Sequence, residues 1–161
     1  MALTSVQKVI LKTAINADAT MSAYPLTTDG YIDLAGYLNQ QASPTFTVWK
    51  TSVPLSEVGQ NFNGTELAGL TSGNNSRLQT VGVYFSDGVN PSKPDVRDFF
   101  DDIFSGAGGT NTRANLLVLW KRLATRAEKI FATGTGSDAA PATMAVEGAI
   151  SWQDVQTARN S

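Results

Sequence analysis

The sequence predicts a mainly α fold: a small helical bundle with a C-terminal β arm or hairpin and a short terminal helix. Three observations carry this. Apolar residues recur at three- and four-residue spacing in most segments, the periodicity of a helix with one buried face. Proline and glycine clusters fall between those segments. One late stretch, Thr143 to Ile150, alternates apolar and polar residues instead. The 161 residues suit one domain with an appended arm, so the expected division is a helical body over 1–132 and an extended arm over 133–161.

Taken in order, Thr4-Ser5-Val6-Gln7 reads as a capping box that opens a helix reaching Ala17. Val6, Val9, Ile10, Ala14 and Ala17 form its apolar stripe, with Lys8 and Lys12 off it. Pro25 and Asp29-Gly30 mark a turn region. A second helix, Tyr31 to Asn39, has Tyr31, Leu34, Ala35 and Leu38 on one face and ends before Ser43-Pro44. Phe46, Val48 and Trp49 form an extended connector. Pro54 suits the start of a short helix over Leu55 to Gly59, because a first-turn N–H has no intrahelical partner to lose. Leu67 and Leu70 are the expected core contacts of a polar stretch.

The spacing of Leu78, Val81 and Phe85 predicts a helix from Asn74 to Phe85, stopped by Asp87-Gly88. Pro94 and Asp95 open another, with Val96, Phe99, Phe100 and Ile103 as its stripe and the glycine run 106–109 as its end. Thr110 is the expected cap of the longest helix, Asn111 to Ala132, about 33 Å of rod. Leu116, Leu119, Trp120, Leu123, Ala127 and Ile130 line one side of it. Residues 133–141 read as a flexible loop. In the alternating stretch Met144, Val146 and Ile150 face one way, and Ser151-x-x-Asp154 caps a terminal helical turn reaching Arg159.

Two absences bound the chemistry. The chain has no cysteine and no histidine. No disulfide, thiol nucleophile, Ser-His-Asp triad or ordinary zinc site can be built from it. Carboxylates, lysines, tyrosines and hydroxyls remain. The net charge of −2 gives no overall field to gather nucleic acid. A charged share of 16% is low for a soluble chain and points to surface that meets protein. The N-terminus, Met1-Ala2-Leu3-Thr4, lacks the pattern of a secretion signal, and no stretch has the apolar length to span a bilayer. We expect assembly in a cytoplasm, no membrane, no cofactor and no metal.

Several residues are candidates for function. Asp98, Asp101 and Asp102 could supply acid–base chemistry or hold Mg²⁺, but three exposed aspartates on a helix are more simply a solvated face or a partner for cations. Arg122, Arg126 and Lys129 share one face of the long expected helix. They could contact phosphates; the slightly acidic chain favours protein instead, such as the Asp95, Asp98 and Asp102 face of the same or a neighbouring subunit. A third option is a ring whose channel they line while DNA passes without sequence recognition. Met144, Val146, Ile150 and Trp152 are the expected contacts of the arm with a neighbour, Trp152 as an aromatic anchor. The glycine runs match no phosphate-binding motif.

Whole segments resemble a family of small structural proteins from tailed-phage head–tail morphogenesis modules. They are the run Lys121 to Lys129, Phe131 to Ser137, Ala140 to Thr143, Glu147-Gly148 and Gln153-Asp154-Val155, with Phe46 to Pro54 and Phe99 to Gly106. The resemblance covers most of the chain and includes no catalytic motif. It implies a non-enzymatic virion protein: a head–tail connector, an adaptor of the neck, assembled as a ring of about twelve copies between portal and tail. A capsid decoration or cement protein is the structural alternative. A small nucleic-acid-binding protein or carboxylate-dependent enzyme is the alternative from another class.

Overall fold

The structure, a computed structural model, describes residues 3–161, so Met1 and Ala2 of the N-terminal segment lie outside it. The fold is mainly α, with small strand pairs and a short terminal helix, as the periodicity predicts. The described residues cluster into two compact units, 3–48 with Leu123–Ser161, and Trp49–Arg122. This division differs from the expected one at residue 132, because residues 133–161 belong to the core of the first unit. The chain leaves the first unit within strand β1 (Thr47–Trp49) and returns within β2 (Lys121–Leu123).

The first unit begins with α1 (Ser5–Ala17), opened by the expected capping box: Thr4 Oγ1 accepts from the Gln7 N–H and Gln7 Oε1 accepts from the Thr4 N–H. Its buried side is Leu11 and Ile15, fully enclosed. The expected stripe of Val6, Val9 and Ile10 is instead exposed. Both sets recur at helical spacing, so periodicity alone cannot say which side faces the core. Asp18 caps α2 (Ala19–Ser22). Thr27 caps α3 (Thr28–Leu38), which starts earlier than Tyr31 and takes in Asp29-Gly30. Gly30 breaks no helix here: it lets the first turn press on Pro25, whose carbonyl oxygen would lie 2.2 Å from a Cβ. Tyr31, Leu34, Ala35 and Leu38 are buried as expected.

The chain re-enters this unit at α10 (Arg126–Phe131), pairs β3 (Ala132–Thr133) with β4 (Thr143–Met144) antiparallel, and ends in α11 (Trp152–Asn160). Helix α11 packs on α1 and α3 through Val155 and Ala158, both fully enclosed. The loop expected to be flexible is tied down. The Thr47 N–H donates to Gly136 O at 2.7 Å. Gly136 has φ +66°, and a Cβ there would sit 2.1 Å from the Phe46 ring, so only glycine fits.

The second unit is contiguous. It contains α4 (Leu55–Gln60), α5 (Gly64–Ala68), α6 (Ser72–Gln79), α7 (Val81–Tyr84), α8 (Pro94–Ile103) and α9 (Thr110–Leu119). The helix expected over 74–85 is therefore two, parted at Thr80, with Leu78, Val81 and Phe85 still turned to the core. Rings dominate that core: Phe100 meets Phe99 edge-on at 5.4 Å and Trp120 at 5.6 Å between centroids. Leu67, an expected core contact, is exposed, and the buried residue of α5 is Glu66.

The long helix over 111–132 does not exist as one rod. Helix α9 ends at Leu119, and Trp120 buries its ring in the second unit. Further along, the Ala124 N–H donates to Phe46 O at 2.8 Å and Ala124 O accepts from the Ala42 N–H at 2.9 Å. Those backbone groups are spent on extended neighbours and cannot serve a helix ladder. Thr125 then starts α10 afresh, with its own capping box to Glu128. Leu123, expected on the buried face, is half exposed.

Candidate interaction surfaces

Helix α10 carries two of the three expected basic residues. Arg126 and Lys129 stand one turn apart and line a concavity of about 260 Å³ with Asp18, Met21, Tyr37, Ala42, Ser43 and Ile130. The Arg126 guanidinium lies 4.1 Å from the centroid of the Tyr37 ring and donates to Tyr37 O at 3.2 Å and Gln40 Oε1 at 3.1 Å. Lys129 Nζ lies 5.5 Å from the Phe46 ring centroid. Aromatic faces and neutral oxygens thus hold both cations in place. Arg122 does not join them on one helix face, because the break puts it on β2.

The four aspartates of α8 do not act as one cluster. Asp95 is exposed in the first turn, where its charge suits the helix N-terminus. Asp98 and Asp101 border an open cleft of about 480 Å³, whose lining includes Trp49, Arg97, Arg113, Leu117 and Trp120. Asp102 points to solvent, 3.7 Å from Arg77, an exposed pair worth at most about 1 kcal/mol. Burial pushes the Asp101 carboxyl above its ordinary pKa, and the nearby Arg113 charge works against that rise. The cleft's arginines are turned to the fold. Arg97 stacks 4.1 Å over Trp49 and donates to Pro91 O; Arg113 donates to Phe104 O and, at 3.0 Å, to Gly106 O.

Met144, Val146 and Ile150, expected to meet a neighbour, are buried in the first unit. The alternation places them on one side as expected, with Thr143, Glu147 and Ala149 exposed on the other. Only Thr143 and Met144 pair as a strand. Trp152 is half-buried and packs on the same core, not as an outward anchor. The segment is drawn inward by polar clamps. Asn39 and Ile150 exchange two hydrogen bonds at 2.9 Å each, side-chain amide to backbone, and the Gly148 N–H donates to Glu128 Oε1 at 2.9 Å.

Three buried carboxylates act as structural devices, and only Asp154, as part of the last cap, is predicted from the sequence. Glu66 accepts from the N–H groups of Asn111 and Thr112 at 2.9 and 2.7 Å, and so seats the start of α9. Glu128 accepts from Thr125 and Gly148. Asp154 accepts from Leu3 N at 3.0 Å, joining the two ends of the chain, and from Ser151 Oγ at 2.7 Å. Desolvation works to raise the pKa of Glu66 and Asp154, yet their N–H and O–H donors hold both below the ordinary carboxylate value. Thr125-x-x-Glu128 was legible as a capping box. The Glu66 contact is not, because its partners lie 45 and 46 residues away.

The remaining candidate surfaces are apolar. Val6 and Val9 on α1 are 69% and 59% exposed, with Ile10 beside them. In the second unit Val83 and Tyr84 on α7 are 78% and 77% exposed, and Val118 on α9 is 73% exposed. Among the described residues no group of three or more Asp or Glu could hold a metal ion, and no helix is long and apolar enough to cross a membrane. The chain matches no protein-family model, and comparison with curated proteins and with solved structures gives no match.

Proposed function

We propose that this protein is a structural subunit of a tailed-phage particle, a head–tail connector that assembles as a ring between portal and tail and does its work by contact. One observation carries the reading. Each unit already has an enclosed core, yet each leaves large apolar side chains on helix surfaces: Val6, Val9 and Ile10 in one, Val83, Tyr84 and Val118 in the other. Val6, Val9 and Ile10 recur at three- and four-residue spacing on one side of α1, and an exposed apolar group of that kind marks a protein–protein contact. The low charged share agrees with it. In this reading DNA passes through the ring without sequence recognition, and portal and tail-side proteins cover the two ring faces.

The test is sedimentation of the purified chain with electron microscopy of intact particles. We expect closed rings and roughly a dozen copies per particle. Hundreds of copies on the shell would move the protein to a decoration role. A chain that stays monomeric and has no place in a particle sinks the reading. The carboxylate-enzyme alternative has one observation in its favour, the raised pKa of Asp101 beside Asp98 in an open cleft. Turnover lost in Asp101→Asn, with assembly intact, would establish it.

A further inference from the structure

The structure holds two charged surfaces of opposite sign and matching pitch, most of whose charges have no ion-pair partner among the described residues. Arg126 and Lys129 lie at i and i+3 on α10, neighbours on one helix face. Their contacts are ring faces, Tyr37 O and Gln40 Oε1. No carboxylate of the described residues comes within ion-pair distance of either. Asp18, which also borders the pocket, turns its carboxylate to the Thr20 and Met21 N–H groups at 2.9 Å each. On α8, Asp95, Asp98 and Asp102 lie at i, i+3 and i+7, about 10 Å along one face. Asp95 and Asp98 have no cation of the described residues within ion-pair distance, and Asp102 has only its exposed contact with Arg77.

We infer that the Asp95–Asp98–Asp102 face of α8 docks on the Arg126–Lys129 pocket of a neighbouring copy. The spacing argues for it: two cations one turn apart face carboxylates one turn apart, so two helices laid side by side bring charge to charge at both positions. A duplex is the poorer fit. Phosphate binding of useful strength draws on several cations along a track, in a chain with a positive field, and this chain has a net charge of −2. The contact joins two different surfaces, so every copy offers one and accepts the other. Such a heterologous contact propagates and closes into a ring when the rotation allows. The charges would steer and register the contact, and the exposed apolar side chains would supply its adhesion.

This inference rests on the assembly reading above, and the experiment separates the two. The full-length chain is sedimented as wild type, Asp98→Lys, Lys129→Glu and the double swap, at low salt and at about 0.5 M salt. Arg126 is left alone because it supports Tyr37 and Gln40. We expect each single reversal to weaken self-association about tenfold or more, and the double swap to return it to within about threefold of wild type. Salt should weaken the wild type. If wild type assembles but neither reversal matters, or the double swap is no better than the singles, the docking assignment is wrong and the assembly reading stands. If wild type is monomeric throughout, both fall. Loss of binding to a DNA duplex in Lys129→Glu, with assembly unchanged, also overturns the proposal and gives the pocket to phosphate. Should Asp98→Lys misfold by circular dichroism, Asp95→Lys tests the same face.

Discussion

The two units are built by opposite means. The second is one continuous stretch whose core is aromatic, with Phe62, Phe85, Phe99, Phe100 and Trp120 in mutual ring contact. The first is made from the two ends of the chain, and its core is mostly aliphatic: Leu11, Ile15, Leu34, Leu38, Val146, Ile150 and Val155. Polar clamps across long sequence separations finish it. Leu3 meets Asp154, Asn39 meets Ile150, and Arg159 donates to Tyr24 O at 2.8 Å, a span of 135 residues. A contiguous unit can form from local contacts. A unit closed by its termini pays loop-closure entropy before its core forms.

Five outcomes would break or sharpen this contrast. The largest effect should come from deleting residues 134–161. The sequence predicts an extended arm here, appended to a helical body over 1–132. The structure places Met144, Val146, Ile150 and Val155 in the first core, so the truncated chain should lose protection in 5–48 while 55–119 stays ordered. Hydrogen exchange read by peptide decides it, and a first unit that stays protected would show the contrast to be false. Next, Phe100→Ala should cost about 3–5 kcal/mol, because the ring is fully enclosed among aromatics. Denaturant unfolding followed by exchange should assign that loss to the second unit alone.

Acid acts on both units, through Asp154 in the first and Glu66 in the second. Both carboxyls have lowered folded pKa values, so their contribution is present above the ordinary carboxylate pKa and is lost as pH falls through the folded value. Melting temperature should therefore drop below about pH 4. Asp101 has the opposite sign. Its raised folded pKa favours folding at low pH and disfavours it as pH rises through that value, so Asp101→Asn should melt no lower than wild type at pH 7. The smallest expected effect is Thr125→Ala, about 1 kcal/mol from loss of the α10 cap, confined to the first unit. A melt that fell in both units would show that they do not respond separately.

Much of the fold was legible in the sequence, and its errors share one cause. Caps and stripes located α1, α3, α4, α8 and α11, and alternation sorted Met144, Val146 and Ile150 from Thr143, Glu147 and Ala149. Those signals are local: a hydroxyl three residues from a carboxylate, or an apolar residue every turn. The long helix failed because Leu116, Leu119, Trp120, Leu123 and Ala127 keep helical spacing across a break imposed by the backbone of Phe46 and Ala42. The face of α1 was misread because Val6-Val9-Ile10 and Leu11-Ile15 are equally regular. The candidate surfaces were legible in part. Arg126, Lys129 and the α8 aspartates were found by charge and spacing, while Met144, Val146 and Ile150 were found by pattern and assigned to the wrong environment.

By itself, then, the sequence determined the class, several helix starts, the absence of imidazole and thiol chemistry, and which residues are apolar enough to need cover. Tertiary structure decided what covers them. It turned the C-terminal segment inward onto α1 and α3, tied Gly136 under Phe46, and left Val6 and Val9 outside. The physical reason is range. Capping and periodicity act within one or two turns, whereas burial and backbone pairing depend on partners more than a hundred residues away, which no local pattern encodes.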